Sequence, residues 1–203
     1  MQVLIATGNS GKVREFREML GQGRFTWRGL AEFPGIAPVE EIGHTFRANA
    51  MLKASDYARA SGIWALADDS GLEVDALGAR PGVYSARWAQ MHGAGQGDAA
   101  NNVLLLEQLR DVPDERRRAR FVCVLALADP AGRIVLTVRD TIEGRILRDA
   151  AGSNGFGYDP LFYVETLGRT TAQMSPQEKH WVSHRGKALV RLKELMQGLE
   201  SRG

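Results

Sequence analysis

The sequence predicts a mixed α/β fold, and two observations support this prediction. Residues 3–6 are an apolar run of strand length that leads through a glycine turn into a helical pattern, which is a βα unit. Residues 121–128 and 134–138 are apolar runs on either side of Asp-Pro-Ala-Gly, the pattern of a β-hairpin. A chain with both kinds of connection needs a sheet that combines parallel and antiparallel pairs.

The N-terminal half predicts two helices and three strands. The strand at 3–6 and the turn at 7–12 are followed by a first helix, and a second helix is expected over 45–61. Strands are expected at 63–67 and 72–76, because Asp-Asp-Ser-Gly interrupts the apolar run between them. The apolar residues that recur at helical spacing are Val13, Phe16 and Leu20 in the first helix, and Phe46, Ala50, Ala54, Tyr57 and Ala58 in the second.

The C-terminal half adds a third helix, the hairpin, a strand and a last helix. Asp98 is the expected N-cap of the third helix. A further strand is expected at 161–164 and an amphipathic helix at 186–197. The apolar side of the third helix is expected to carry Val103, Leu106 and Leu109.

Composition narrows the class of protein. With 203 residues, 44% hydrophobic and 25% charged, the chain has room for one sizeable domain over 1–203 or for two lobes that share a core. No apolar stretch approaches the ~20 residues of a membrane span, and no secretory signal is evident, so we expect a cytoplasmic protein without a membrane partner. The single cysteine, Cys123, excludes an internal disulfide. A net charge of +2 disfavours a nucleic-acid binder, and the basic run at 115–120 is interpreted as a solvated loop.

Two pairs of adjacent carboxylates are candidates for a metal site. Asp68 and Asp69 end an apolar run, where they repel each other unless a cation lies beside them. Mg²⁺ suits such hard oxygen ligands and usually takes one or two protein carboxylates together with substrate phosphates. The alternative is a solvated turn. Glu40 and Glu41 precede the second helix, where they either join the metal site or only complement the helix dipole. Four carboxylates exceed the needs of one metal, so one or two are expected to lie outside its ligand set.

The turn at 7–12 is a candidate anion site. A strand-to-helix turn presents free backbone N–H groups and the positive end of a helix dipole. Thr7 and Asn9 add side-chain donors, and Lys12 adds a charge. Lys53 lies four residues after Asn49, on the same face of the second helix. The alternative is an ordinary βα turn.

Two further segments could recognise a nucleobase. In the loop at 152–160, glycines flank Phe156 and leave its ring open for stacking on a base, and Asp159 could accept a hydrogen bond from a base N–H. The alternative is a hairpin loop with a packed phenylalanine. His184 and Arg185 could both donate hydrogen bonds to a purine edge or to a phosphate.

Five motifs in this order resemble the inosine triphosphate pyrophosphatase family, whose bacterial members are dITP/XTP pyrophosphatases. The matching segments, which span nearly the whole chain, are ATGNSGK, EEIGHTFRANAMLKA, ADDSGLEVDALGARPGVYSAR, NGFGYDPLF and SPQEKHWVSHRGKAL. The departures, at Ala79, at 88–90 and at 93–97, fall on none of the residues to which the resemblance assigns a role. The resemblance implies a long twisted mixed sheet flanked by helices, with two lobes around a central cleft, in a homodimer. It also implies Mg²⁺-dependent hydrolysis of deaminated purine nucleoside triphosphates to the monophosphate and pyrophosphate.

The resemblance also assigns roles to residues. Asp69 is the expected catalytic base and Lys53 the second catalytic residue. Metal is expected at Asp69 and Glu41, with Glu40 and Asp68 as neighbours. Because a metal-bound carboxylate is a poor proton acceptor, either Asp69 or Asp68 could take the proton. The residues expected to hold the triphosphate are Thr7, Gly8, Asn9 and Lys12, joined by Lys53, and Ser10, Gly11 and Ser70 are also expected to bind the substrate. The residues expected at the base are Phe156, Gly157, Tyr158, Asp159, Lys179, His184 and Arg185.

Two other functions remain open at this point. A pyrophosphatase of the related septum-inhibitor type would act on dTTP or UTP and would need a pocket that fits a pyrimidine. A nucleotide-sensing module would bind the phosphates without turnover, although both carboxylate pairs argue against it, because a pure binder needs fewer anions beside a triphosphate.

Overall fold

The computed structural model describes residues 1–21 and 25–200, the last three of these by their backbone alone. It confirms the mixed α/β class. The strands run in the order β2-β1-β3-β5-β6-β7-β8, and β4 pairs with β3. The β1 strand pairs in parallel with β2 and β3, whereas β3/β4, β6/β7 and β7/β8 are antiparallel. The strands are β1 Gln2–Ile5, β2 Thr26–Gly29, β3 Trp64–Val74, β4 Arg80–Pro81, β5 Arg118–Ala128, β6 Ile134–Ile146, β7 Phe162–Val164 and β8 Arg169–Thr170.

The predicted helices are present and two short ones accompany them. Thr45 caps α2 by accepting a hydrogen bond from Ala48 N, and the predicted apolar face of this helix is buried. Ser175 caps α5 in the same way, with proline at the first helical position. The helices are α1 Ser10–Leu20, α2 Phe46–Ser61, α3 Trp88–Met91, α4 Gly97–Gln108, α5 Pro176–Val182 and α6 His184–Glu200.

The prediction of two strands separated by a polar turn at Asp68–Gly71 is wrong, since β3 continues through all four residues. Gly71 permits this, because a side chain there would lie 2.3 Å from Ser85 Oγ and 2.6 Å from the carbonyl oxygen of Gly82. Ser85 Oγ accepts a hydrogen bond from Leu72 N at 2.8 Å. Ser85 therefore packs directly against the continuous strand at Gly71 and Leu72, where the polar residues suggest a turn.

Three local predictions also need correction. The N-cap of α4 is Gln96, and Asp98 lies inside the first turn. The buried side of α4 includes Leu104 and Leu105, whereas Val103 is 66% exposed. Within the basic run at 115–120, Arg117 is buried and donates hydrogen bonds to three carbonyl oxygens, so the run is not a solvated loop throughout.

The chain divides into two compact units. Unit 1 comprises 1–69, 123–140 and 185–203, and unit 2 comprises 70–122 and 141–184. Each has its own apolar core. Phe16 and Leu66 belong to the core of unit 1, whereas Phe121 and Phe162 belong to that of unit 2.

Candidate active site

The turn between β1 and α1 is held by its own side chains. Asn9 caps α1, and its Oδ1 accepts a hydrogen bond from Lys12 N at 3.0 Å. Thr7 Oγ1 accepts one from Asn9 N at 3.2 Å. Both side-chain oxygens therefore act as acceptors that shape the turn, where the sequence suggested donors. Gly8 has open space around its Cα, and Ser10 and Gly11 begin the helix. This arrangement places Lys12 in the first turn of α1.

Asp68 lies in a buried ion cluster. Arg185 Nε donates to its Oδ2 at 2.9 Å, Lys12 Nζ pairs with its Oδ1, and Arg185 Nη1 also pairs with Glu15. Asp68 is 1% exposed and Arg185 2%. Burial alone raises the pKa of Asp68, but Arg185 and Lys12 outweigh it and hold that pKa well below its ordinary value. The buried Cys123 thiol also donates to Asp68 Oδ2, at 3.2 Å. We call Lys12, Glu15, Asp68 and Arg185 the Asp68 cluster.

Asp69, the next residue of β3, has different partners. Lys53 Nζ lies 2.9 Å from Asp69 Oδ1 and 2.8 Å from Glu41 Oε1. Asn49 Nδ2 lies 3.3 Å from Asp69 Oδ2, and its Oδ1 accepts from Gly43 N at 2.7 Å. Burial raises the pKa of Asp69 above its ordinary value, although Lys53 opposes this. We call Glu41, Asn49, Lys53 and Asp69 the Asp69 cluster.

The donor set of the Asp69 cluster fits a divalent cation. Asp69 and Glu41 direct carboxylate oxygens at one ammonium group, so the two anions converge on a single cationic position. Two carboxylates are the number that Mg²⁺ commonly takes beside substrate phosphates. Asp68 is instead occupied by two other cations, and Glu40 is exposed. Within the described ranges, no three or more His, Cys, Asp or Glu side chains are grouped so that they could hold a metal.

The Phe156 loop lies in unit 2 and is organised by Asp159. This buried carboxylate accepts hydrogen bonds from Phe156 N at 2.8 Å, Lys179 Nζ at 2.6 Å and Thr171 Oγ1 at 2.8 Å. These donors use three of the about four acceptor positions of a carboxylate. The Lys179 ammonium lies 4.9 Å from the centroid of the Phe156 ring, and Gly155 and Gly157 have φ angles of 82° and 64°. Asp159 therefore holds the loop and Lys179 together, whereas its predicted contact with a base N–H stays a prediction.

The other predicted base residues are buried. His184 stacks on Phe121, with ring centroids 5.0 Å apart and planes 19° apart. Tyr158 donates its hydroxyl to the Ser85 carbonyl oxygen at 2.9 Å, and burial raises its pKa. Arg185 is engaged by two carboxylates of the Asp68 cluster, so its predicted recognition of the base stays a prediction.

Sequence reasoning missed Glu15, Cys123 and Thr171. Glu15 had a usable signal, because it lies one turn after Lys12 in α1, and a carboxylate at that spacing shares a face with the lysine. Nothing in the sequence pairs Cys123 with Asp68 or Thr171 with Asp159, since both contacts join distant segments.

Comparison with known proteins identifies the family. The Ham1 family model matches residues 3–195. A dITP/XTP pyrophosphatase of Exiguobacterium sibiricum is 51% identical over 192 residues, which cover 95% of each chain. The structure of a HAM1 protein from Coxiella burnetii has a TM-score of 0.87 and 40% identity, with 98% of this chain and 99% of that chain covered. A nucleoside-triphosphatase / dITP/XTP pyrophosphatase of Mycobacterium abscessus has a TM-score of 0.75 and 45% identity, with 95% and 97% covered. The chain belongs to the Ham1 family.

Proposed function

We propose that the protein hydrolyses nucleoside triphosphates with a deaminated purine base, dITP or ITP and XTP or dXTP, to the monophosphate and pyrophosphate. The observation that carries this proposal is the likeness, over nearly the whole chain, to proteins named dITP/XTP pyrophosphatase. The two ion clusters in unit 1 support it, since they supply the cations and carboxylates that phosphate chemistry requires.

The triphosphate is assigned to Lys12, Lys53 and the turn at 7–12. Their ammonium groups are held by Asp68 and by Asp69 with Glu41, so both are oriented before substrate arrives. Positioned cations neutralise charge on the phosphates, and phosphoryl transfer depends on this more than on covalent help. Ser70, which follows Asp69 in β3, is also assigned to the substrate.

Asp69 and Glu41 are the residues that would hold Mg²⁺. When bound, Mg²⁺ would neutralise phosphate charge and make a water molecule more acidic. Within the chain, Lys53 orients both carboxylates. Glu40 and Asp68 are assigned to the surroundings of this centre. Glu40 is exposed, and Asp68 is already paired with cations.

Asp69 is the better candidate for the proton acceptor. Both oxygens of Asp68 face cations, which stabilise its charge and weaken it as a base. Oδ2 of Asp69 instead accepts a hydrogen bond from the neutral amide of Asn49 at 3.3 Å, whereas Lys53 pairs with the other oxygen, Oδ1. A positioned general base contributes ~10²–10⁴-fold to a rate.

The base end of the substrate is assigned to unit 2. Phe156 offers a partly exposed ring for stacking, with Lys179 beside it. Gly157, Tyr158 and Asp159 shape the loop around that ring, and His184 is assigned to the base as well. Arg185 belongs to unit 1, and its contact with the base stays a prediction.

We also propose that the protein acts as a homodimer in the cytoplasm, as the family resemblance and the role in the nucleotide pool suggest. No described helix combines the length and the apolar character that a membrane span requires.

Release of pyrophosphate from a panel of dITP, XTP, dTTP and ATP tests the proposal. Rapid release from dITP and XTP and slow release from dTTP and ATP is the expected pattern. Preference for dTTP would indicate the septum-inhibitor type, and tight binding without release would indicate a sensing module. Release of orthophosphate and a nucleoside diphosphate would contradict cleavage between the α and β phosphates.

A further inference from the structure

Helix α4 holds the residue that directly follows Phe156. Asp98 Oδ2 accepts a hydrogen bond from Gly157 N at 2.6 Å, and Asn102 Nδ2 donates one to Gly157 O at 3.0 Å. Because residues four apart share a helix face, α4 presents an acceptor and a donor side by side. Both backbone polar groups of Gly157 are therefore bound by one helix.

The rest of the loop is anchored to other segments of unit 2. Asn154 N donates to Ala172 O at 3.0 Å, and Tyr158 donates its hydroxyl to Ser85 O at 2.9 Å. Gly157 has a φ of 64°, and glycine loses more conformational freedom on ordering than any other residue. The contacts from α4 thus act at one of the glycine positions of the loop, which are costly to hold in one conformation.

We propose that Asp98 and Asn102 are positioning residues for recognition of the base. They fix Gly157, so that the Phe156 ring keeps its place 4.9 Å from the Lys179 ammonium and presents a defined face to a purine. This inference rests on the proposed function, in which Phe156 stacks on the base. We call Asp98 and Asn102 the α4 clamp.

The two members of the α4 clamp differ in their expected effect on stability. Asp98 lies in the first turn of α4, where a carboxylate also interacts favourably with the helix dipole. Asn102 Oδ1 is buried and accepts no hydrogen bond from the part of the chain that the structure describes. Burying an unsatisfied oxygen costs free energy that an apolar side chain of similar shape avoids. Replacement by leucine removes this oxygen but also gives up the hydrogen bond to Gly157 O, so the two effects oppose each other and the thermal midpoint of unfolding should change little.

The test compares Asp98→Ala, Asp98→Asn and Asn102→Leu. Glu107→Ala is the matched control, because it removes an exposed carboxylate from the same helix. The KM for dITP should rise about two- to tenfold in Asp98→Ala and Asn102→Leu, as expected for a lost hydrogen bond. Inhibition by inorganic tripolyphosphate, which has no base, should be unchanged. Asp98→Asn keeps an acceptor oxygen and should recover most of the wild-type KM.

Three kinetic results would overturn the α4 clamp. One is an unchanged KM for dITP in both Asp98→Ala and Asn102→Leu. Another is a tripolyphosphate inhibition constant that rises in parallel with KM, since this would indicate a general loss of structure. The third is an effect of equal size in Glu107→Ala.

Amide hydrogen exchange of residues 152–160 separates this inference from the proposed function. Exchange there should be faster in Asp98→Ala and Asn102→Leu than in the wild type, whatever the substrate, and an unchanged rate would overturn the clamp. A wild-type protein that releases no pyrophosphate from dITP would overturn the proposed function itself.

Discussion

Asp68 and Asp69 are neighbours on one strand, yet the fold treats their charges in opposite ways. Arg185 and Lys12 stabilise the charged form of Asp68 and lower its pKa, whereas burial raises the pKa of Asp69. A lowered pKa means that the folded state favours the charge, and a raised pKa means that the charge is held at a cost. The comparison indicates that the charge of Asp68 stabilises unit 1, and it supports the proposal that Asp69 acts in catalysis.

The largest expected effect is that of Asp69→Asn on turnover. The substitution removes the proposed base and a metal ligand, and we expect kcat on dITP to fall by ~10²–10⁴-fold. The midpoint of urea unfolding should change little, because burial already disfavours the lost charge. Asp56→Asn, which alters an exposed carboxylate of α2, is the control. If more than about a tenth of the wild-type rate remained, well inside that range, the key role would pass to Asp68 or Glu41.

Asp68→Asn should show the reverse pattern. It leaves Arg185 buried beside a neutral amide, and breaking a buried ion pair typically costs ~3–5 kcal/mol. Urea unfolding measures this loss directly. An unfolding free energy equal to that of the wild type would contradict the assignment of Asp68 to stability and would erase the contrast between the two carboxylates.

Lys12→Ala and Lys53→Ala test the cations that pair with Asp68 and Asp69. Each removes a charge that we assign to the triphosphate, and a hydrogen bond to a charged group contributes ~1.5–3 kcal/mol. The KM for dITP should therefore rise by about ten- to a hundredfold in each variant, and this rise should become smaller as salt screens the contact in the wild type. Arg14→Ala removes an exposed cation from the same helix as Lys12 and should change neither value. Wild-type behaviour of both lysine variants would show that the turn at 7–12 is structural.

The smallest expected effect is a difference in acid stability. A carboxyl whose folded-state pKa lies below its unfolded-state value stabilises fully above the unfolded pKa and loses this contribution as pH falls through the folded pKa. For Asp68 the loss begins as pH drops below about 4, the unperturbed value of an aspartate. Unfolding free energies measured between pH 6 and pH 2 should therefore converge for the wild type and Asp68→Asn. Parallel curves would show that Asp68 is not charged in the folded state at neutral pH.

The sequence predicted the fold class and most elements, because apolar periodicity and capping residues are local signals. Thr45 and the buried face of α2 illustrate this. The continuous β3 strand could not be predicted, since it depends on Ser85, which reaches Gly71 from a later segment.

The candidate site shows the same division. The carboxylate pairs and Lys53 are recognisable from local sequence, and the α2 spacing already placed Asn49 beside Lys53. The partners of Arg185 are not recognisable, because 117 residues separate it from Asp68 and 170 from Glu15. Contacts at such separation depend on tertiary structure, which no local pattern records.

The labelling rate of Cys123 can report how often the core of unit 1 opens to solvent. The thiol is the only one in the chain, it is buried, and burial raises its pKa well above the ordinary value. Only the thiolate reacts readily with alkylating or disulfide reagents. Labelling of the native protein therefore requires a local opening that admits solvent to the core beside Asp68. The labelling rate therefore measures the frequency of these opening events without any nucleotide. A ligand that stabilises unit 1 would lower this rate.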